Sequence, residues 1–374
     1  MSTTRARAKW LLLLLSFLGA AFGPGAVQAD NGPQHRVRQP RPIWLGTSGG
    51  NILDQSKRYC CGGTLGALVF DVDGYYVLSC NHILARVNQA EPIEAIIQPG
   101  LIDRTPACSA DLNDAVAYLS ASVPIQFKAR KAVPLNEVDA AMAEVMPGAV
   151  QMDGSILDIG PISASAVSAY VSQGVRKSGR TTGQTYGTVA AVDVTVNDGY
   201  SKTCGGPANQ VARFVHQIRI TPGSFSAGGD SGSLVVENVA STPRAVGLLF
   251  AGSPTSTLAN PIDRVLASLG VALVGGTGPA GATEAVQAVE RLAALKRAGD
   301  VKLRHEAKLL EIDGVVGTGL GLSETAEPLI EVYLDKERSL ARSRIKQTLE
   351  SICALENVRS VPARVVVTGQ FQAF

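Results

Sequence analysis

The feature that most limits the fold of this chain is its series of short apolar stretches from about Ile43 to Leu269. Gly, Ser, Thr and other turn residues interrupt them, and no long helical periodicity lies between them. They read GTLGALVF, YYVLSC, AVAYL, DAAMAEV, TVAAVDVTV, RFVHQIRI, SLVV and AVGLLF. Many short strands at this spacing predict an antiparallel sandwich or barrel, so we expect a mainly β fold.

The composition changes after the Gly/Pro-rich segment GGTGPAGAT. Residues 283–311 are rich in Ala, Glu, Lys, Arg and Leu, with apolar positions at helical intervals. VVGTGLGL, PLIEVYL, a second charged helical stretch to about Leu355 and ARVVVTGQF follow. The order helix, strand, strand, helix, strand predicts a small α+β domain over residues 276–374, joined through the Gly/Pro linker.

The N-terminus has the layout of a secretory signal peptide. Arg5, Arg7 and Lys9 precede the apolar run WLLLLLSFLGAAF, and small residues follow. Val27 and Ala29 fit the small-x-small cleavage rule, so we predict a signal peptide at residues 1–29 and a mature chain that begins at Asp30. This apolar run is shorter than the about 20 apolar residues that a membrane span needs. We therefore expect a secreted or periplasmic protein without a membrane anchor. Residues 30–42 form a basic, Pro-containing arm, which we expect to be extended.

Charge and cysteine content exclude several functions. The chain has 34 Lys and Arg against 32 Asp and Glu, without the clustered positive charge that nucleic-acid binding needs. Six cysteines allow 15 complete pairings, among which the sequence does not choose. Neither a CxxC pair nor a zinc-type Cys/His spacing occurs, so no metal site is predicted. The oligomeric state stays open.

The segment FSAGGDSGSLVV, Phe225–Val236, carries the chemistry. A serine hydroxyl is a poor nucleophile unless a base activates it and backbone N–H groups stabilise the oxyanion. Glycines let the backbone turn tightly there. Ser231 is therefore the candidate nucleophile, with the N–H groups of Gly229 and Ser231 as the candidate oxyanion hole. A structural Gly/Ser turn is the alternative.

Four histidines could supply the base. His35 lies in the arm, His305 lies on a charged helix of the C-terminal module, and His216 shares strand parity with apolar neighbours, which predicts a core position. His82 ends the apolar strand YYVLSC, where a strand terminus can present its side chain to a cleft. By elimination, His82 is the predicted base.

Together these segments resemble the trypsin-like serine proteases of the chymotrypsin fold. GGTLGALVF with YYVLSCNHI resembles the strand pair that leads to the catalytic histidine, and GGDSGSLVV resembles the nucleophile loop. The resemblance covers about residues 43–272 and implies two six-stranded antiparallel barrels, over residues 43–150 and 151–275. Two positions depart from the family: Cys80 and Asn81 replace two alanines, and Gly-Ser follows the nucleophile.

The resemblance also implies a third catalytic residue and a substrate-binding strand. The family's aspartate begins a late strand of the first barrel, which favours Asp139 in VDAAMAEV over the alternative Asp114 in NDAVAYL. After Asp114 there is room for another strand, VPIQF, before the barrel closes. We expect Asp230 to organise the nucleophile loop rather than to orient His82. AVGLLFAGS resembles the strand that pairs with substrate, here Phe250, Ala251 and Gly252, and Phe225 takes the position at the base of the P1 pocket.

These residues predict a serine endopeptidase that forms an acyl-enzyme on protein or peptide substrates and needs no cofactor. The alternative is a protease-like binding protein that acts through its C-terminal domain. GTSGG around Ser48 matches the G-x-S-x-G elbow of α/β-hydrolases, but its β-rich flanks favour a turn. SGRTTGQTYG resembles the turn that enters the second barrel and lacks the Lys-Ser/Thr ending of a phosphate-binding loop.

Overall fold

The computed structural model describes residues 32–130, 132–277, 285–356 and 362–373. The predicted signal peptide, the predicted terminus at Asp30 and the centre of the Gly/Pro linker lie outside these residues. Among the described residues, no helix combines the length and apolar character that a membrane span requires.

Nineteen strands are assigned within the described residues. They are β1 Thr47–Asn51, β2 Gly63–Leu65, β3 Ala67–Phe70, β4 Tyr75–Ser79, β5 Ala95–Ile97, β6 Ala115–Ser122, β7 Leu135–Asn136, β8 Ala141–Val145, β9 Gly174–Gly179, β10 Gly183–Ser201, β11 Ala208–Thr221, β12 Leu234–Glu237, β13 Ala245–Ser253, β14 Ser256–Pro261, β15 Ala272–Leu273, β16 Val315–Leu322, β17 Pro328–Leu334, β18 Ala363–Val367 and β19 Phe371–Ala373.

Five α-helices accompany them: α1 Gly32–Arg36, α2 Asn81–Leu84, α3 Ile262–Leu269, α4 Ala285–Leu310 and α5 Ser339–Glu356. Short 3-10 turns cover Leu101–Asp103, Leu112–Asp114 and Gly223–Phe225. The fold is mainly β, as the sequence predicted.

Two sheets carry the architecture. The first has eight strands in the order β15-β3-β4-β8-β6-β5-β1-β2, so a strand from late in the chain closes the edge beside β3. The second has eleven strands: ten follow the path β18-β17-β16-β10-β9-β12-β13-β14-β11-β7, and β19 lies off this path and pairs with β10 and β13. One hydrophobic core joins them, because side chains such as Leu78, Phe214 and Phe250 belong to the same buried cluster. The catalytic candidates lie where these sheets meet.

The C-terminal module contains the predicted helix, strand, strand, helix, strand order. It does not form a separate sheet, however, because β16 pairs antiparallel with β10, with Thr318 opposite Thr195 and Gly317 opposite Val196. Inside this junction, the Arg219 guanidinium lies 2.6 Å from the carboxylate of the fully buried Glu331. The module is therefore joined to the second sheet, and it ends in β19, a strand that the sequence pattern did not separate from β18.

The N-terminal arm is docked, which corrects the expectation of an extended segment. It begins with α1, and its His35 is fully buried with Nε2 2.9 Å from the Ser178 hydroxyl. Arg36 donates to the Thr181 carbonyl at 3.1 Å. A histidine among arginines and prolines gives no sign of burial, because its partner lies 143 residues further along the chain.

Two further expectations were wrong. His216 does not face the core: its side chain is 40% exposed, its φ is +64°, and Nδ1 lies 2.6 Å from Asp193. The register of β10 against β11 shifts at this point, which breaks the alternation on which the parity depended. VPIQF forms no assigned strand in the described chain, and only Phe127 bridges to Ala212.

Two disulfides resolve part of the cysteine pairing. Cys60 bonds to Cys108 and Cys61 bonds to Cys204, while Cys80 and Cys353 are free. The second bridge ties the first barrel to the loop after β10, close to His82, since both of its cysteines line the same cleft.

Candidate active site

His82 lies on the four-residue helix α2, directly after strand β4. The strand ends at Ser79, and Cys80 turns the chain into the helix, so the imidazole lies just beyond the end of β4. Its Nδ1 lies 2.6 Å from Oδ2 of Asp139, and its backbone N–H donates to Oδ1 of the same carboxylate at 3.2 Å. Both side chains are buried, with Asp139 completely so.

Residues from the second sheet hold Asp139 in place. The Tyr200 hydroxyl donates to Oδ2 at 2.8 Å, and the Asp139 backbone N–H donates to Oδ1 of Asn260 at 3.0 Å. The carboxylate thus accepts hydrogen bonds from the ring and backbone of His82 and from Tyr200. A carboxylate at Nδ1 keeps the proton there, so the lone pair that can accept a proton is on Nε2.

Three buried groups near Asp139 are held in their neutral forms. Burial raises the pKa of the Tyr200 hydroxyl well above its usual range, and the negative charge of Asp139 adds to this, so Tyr200 remains a donor. Burial, followed by the same charge, raises the pKa of Asp198 and that of the Cys80 thiol. Asp139 is therefore surrounded by neutral groups and by its partner histidine.

Ser231 is fully buried, and its hydroxyl donates to the Phe250 carbonyl at 3.0 Å. The glycines on either side have positive φ angles, +96° at Gly229 and +92° at Gly232. A side chain could not be accommodated at either one: a Cβ on Gly232 would lie 2.2 Å from the Thr64 carbonyl oxygen, and one on Gly229 would lie 2.6 Å from the Thr181 hydroxyl. The sharp turn around the serine therefore requires glycine.

Asp230 organises this loop rather than contacting the imidazole. Its carboxylate accepts hydrogen bonds from the backbone N–H groups of Thr181 at 2.8 Å, Thr182 at 3.1 Å and Ala227 at 3.0 Å. The Lys177 ammonium lies 3.2 Å away, and both members of this pair are fully buried. Burial lowers the pKa of Lys177, and the carboxylate opposes that shift. An internal cation thus balances the charge beside the nucleophile.

A cleft of about 300 Å³ opens between the two sheets. Its lining includes His82, Tyr200, Gly228 and Gly229, and Asp54 lies on its wall. A second cavity, of about 490 Å³, lies along the strand expected to bind substrate. The described residues that line it carry no charged side chain: Gly223, Ser226, Ala227, Gly252, Ser253, Pro254, Gln370 and Gln372.

Of the residues expected to bind substrate, Phe250, Ala251 and Gly252 lie on β13, and Gly252 lines this second cavity. Phe225 is fully buried in a separate apolar cluster, where its ring contacts Gly187. The adjacent Ser226 and Ala227, rather than Phe225, line the cavity.

The remaining candidates lie elsewhere. Asp114 ends a 3-10 turn and pairs with Arg104 and, at 2.7 Å, with Arg38. Ser48 is a buried residue of β1 whose hydroxyl donates to Asp103 at 2.6 Å, which is a structural role. His305, on α4, lies 2.6 Å from Glu356. None of these described contacts leads to Ser231.

Two groups of described residues bring three potential metal ligands within 4.8 Å of one another. One consists of Asp54, Cys61 and Cys204, but the two cysteines are joined in a disulfide. The other consists of Cys80, His82 and Asp139, in which the thiol is neutral and the carboxylate already contacts the ring. Each group thus has another role.

Sequence reasoning missed the residues that support the site. Tyr200 and Asn260 lie on strands far along the chain from Asp139, so only the tertiary fold reveals their roles. Lys177 left a weak local signal, because it is a charged residue inside the short strand GVRKSG, whose neighbours Val175 and Ser178 are also buried.

The comparisons with known proteins give one curated sequence relative. The chain is 36% identical over 120 residues to glutamyl endopeptidase 2 of Streptomyces griseus, a match that covers 32% of this chain and 55% of the relative. The chain thus spans about half the length of this curated relative. No family model matches the chain.

Similar solved structures include a glutamic acid-specific serine protease (TM-score 0.41, 22% identity, covering 62% of this chain and 100% of that one). Protease A of Thermobifida fusca gives a TM-score of 0.41 with 17% identity, over 63% of this chain and 99% of the other. The sequence match shows that part of this chain is similar to a bacterial endopeptidase, and the architecture of the described residues is mainly β.

Proposed function

We propose that the chain is an exported serine endopeptidase that hydrolyses peptide bonds through His82, Asp139 and Ser231. The observation that carries the proposal is the 2.6 Å contact between Nδ1 of His82 and the fully buried carboxylate of Asp139, which leaves Nε2 as a proton acceptor. A buried His–Asp pair beside a Gly-Asp-Ser-Gly turn matches the requirements of acyl transfer.

In the proposed reaction, the Ser231 hydroxyl turns from the Phe250 carbonyl and attacks the scissile carbonyl carbon while His82 Nε2 takes its proton. The backbone N–H groups of Gly229 and Ser231 stabilise the oxyanion. His82 then gives the proton to the leaving amine, which produces an acyl-enzyme that water hydrolyses by the same steps. Proton and electron pairs balance without a cofactor.

The Lys177–Asp230 pair supports activity without a trypsin-like activation cut. In that route a new N-terminal ammonium reaches the acid beside the nucleophile. Here the Lys177 ammonium already lies 3.2 Å from Asp230. The segment IWLG, which begins at Ile43, comes nearest to the sequence that such a new terminus would have, but the Ile43 backbone N–H donates to the Ala149 carbonyl at 2.8 Å. We therefore propose that a chain beginning at Asp30 has an ordered nucleophile loop. The two disulfides support export, because such bonds persist in oxidising compartments.

The relative's name refers to glutamyl substrates, but the cavity along β13 supports a different preference. Its described lining offers the Ser226 hydroxyl and the Ala227 methyl group, with no cation to pair with a P1 carboxylate and no acid to pair with Lys or Arg. We propose cleavage after apolar or small side chains.

The test is digestion of an unbiased peptide library by the purified chain, with cleavage sites identified by mass spectrometry. We expect cleavage that Ser231→Ala abolishes while thermal unfolding is unchanged. A folded chain that leaves the library intact, or whose cleavage survives Ser231→Ala, would favour a protease-like binding protein that acts through its C-terminal module.

A further inference from the structure

The two edges of strand β13 are covered by different neighbours. Strand β14 pairs along one edge from Gly247 to Ser253. Strand β12 covers the other edge only as far as Leu248, after which the nucleophile loop follows the same edge. The last contact of that loop is the hydrogen bond from Ser231 to the Phe250 carbonyl. The next positions along this edge are therefore those beside the nucleophile.

Strand β19 fills these positions. It pairs antiparallel with β13, with Ala373 opposite Ala251 and Gln372 opposite Gly252. Ala373 also lines the cleft that contains His82. An extended peptide that binds an open strand edge uses this same backbone pairing. The chain's own β19 thus lies where the proposed substrate would lie.

The other edge of β19 pairs parallel with β10, with Phe371 opposite Asp198 and Gln372 opposite Gly199. The following residue of β10 is Tyr200, which donates to the Asp139 carboxylate. Strand β19 therefore bridges the strand that supports Asp139 and the strand that carries Phe250.

The C-terminal module anchors β19 firmly. Phe371 is 1% exposed, and its ring centroid lies 6.2 Å from that of Tyr333 on β17. The turn before it is fixed to the module, because the Thr368 backbone N–H donates to the Leu334 carbonyl at 2.9 Å. A segment that is tethered in this way has a high effective concentration at its site, on the order of millimolar or more.

We infer that β19 is an intramolecular, substrate-like inhibitor, and that the C-terminal module restrains the protease by holding this strand on the Ala251–Gly252 edge. The inference rests on the proposed function. A peptide substrate must displace β19 before its backbone can pair with β13, so only the fraction of molecules with β19 released binds substrate. The full burial of Ser231 in this arrangement agrees with a covered site.

The first experiment compares the full chain with a chain that ends at Gly369, which keeps the module but lacks β19. We expect kcat/KM on a peptide substrate to rise by about tenfold or more, with a matching rise in the rate at which a fluorophosphonate labels Ser231. Phe371→Ala, which removes the anchor, and Gln372→Pro, which removes a strand N–H, should each raise both rates in a chain of full length. Arg342→Ala, on the exposed face of α5, is the control and should change neither.

The second experiment does not depend on catalysis. A fluorescein-labelled peptide with the sequence of residues 367–373, VTGQFQA, should bind the chain that ends at Gly369 and inhibit it competitively, as fluorescence anisotropy and kinetics would show. The same peptide with proline at the position of Gln372 is the matched control and should bind at least about tenfold more weakly. The full chain, whose edge is occupied, should bind neither peptide.

The outcomes separate the two proposals. Equal turnover and labelling in the full and shortened chains, with no binding of VTGQFQA, would overturn the inhibitory strand and leave the protease proposal intact. Binding of VTGQFQA to a folded shortened chain that neither hydrolyses peptides nor labels would support the strand site and overturn the protease proposal.

Discussion

Replacing Lys177 by methionine tests whether an internal ion pair orders the nucleophile loop. The ammonium lies 3.2 Å from the Asp230 carboxylate, and both side chains are completely buried. At an effective dielectric constant of about 20, the attraction at this distance is about 5 kcal/mol. Methionine keeps the volume but leaves the carboxylate without a cation, and breaking such a buried pair costs about 3–5 kcal/mol.

We expect the effect in both stability and catalysis. A loss of about 4 kcal/mol corresponds to a fall in Tm of about 5 °C for a protein of this size. The N–H groups of Gly229 and Ser231 flank Asp230, so a displaced carboxylate should disturb the proposed oxyanion hole and lower kcat. Differential scanning calorimetry and peptide hydrolysis measure the two effects.

Lys302→Met is the matched control. This lysine is also buried, 2.8 Å from Glu306, but it belongs to the C-terminal module, so its loss should lower Tm without lowering kcat/KM. The double variant Lys177→Met/Asp230→Asn should recover part of the lost stability, because it removes the unpaired charge. A Lys177→Met protein with the Tm and kcat of the wild type would refute this role for the pair.

Asp139→Asn should lower kcat about ten-thousandfold by favouring the wrong imidazole tautomer. The neighbouring Asp198→Asn should change kcat little, because burial already keeps that carboxyl protonated. A ten-thousandfold loss in Asp114→Asn instead would make Asp114 the catalytic acid. Burial raises the pKa of Asp54 to about 6 from 3.8, so between these two pH values the folded state binds more protons than the unfolded state. The stability that this group contributes, about 3 kcal/mol, is therefore lost as the pH rises from about 4 to above 6. Asp54→Asn should flatten the dependence of Tm on pH between 4 and 6.5, and an unchanged slope would contradict the assignment. Kinetics on peptides that differ only at P1 should favour apolar or small residues over Glu, Lys and Arg, and cleavage confined to Lys and Arg would exclude the uncharged pocket.

Local patterns in the sequence were enough to predict most of the strands and the order of elements in the C-terminal module. They also led to the prediction of His82, rather than three other histidines, as the base, because the end of an apolar strand is a local feature. The choice of Asp139 over Asp114 depended on the resemblance to a family, and the structure places Asp139 at the imidazole. The positions of short apolar strands and their turns depend on residues that are close in sequence, so they can be predicted from the sequence alone.

What the sequence did not predict depends on contacts between distant segments. The burial of His35 and the pairing of β19 with β13 each join residues more than 100 positions apart. The exposure of His216 follows from a register shift between β10 and β11, which the sequence of β11 does not indicate. Such features result from tertiary packing, which overrides local alternation.

The central claim is that Ser231 is a nucleophile that His82 activates. The most direct measurement is mass-spectrometric mapping of a fluorophosphonate adduct on the folded chain, both at full length and ending at Gly369, with Ser231→Ala and His82→Ala variants in parallel. We predict one adduct, on the peptide that contains Ser231, absent from Ser231→Ala and slowed by orders of magnitude in His82→Ala. A folded, shortened chain without the adduct, or labelling at full rate in His82→Ala, would contradict the claim.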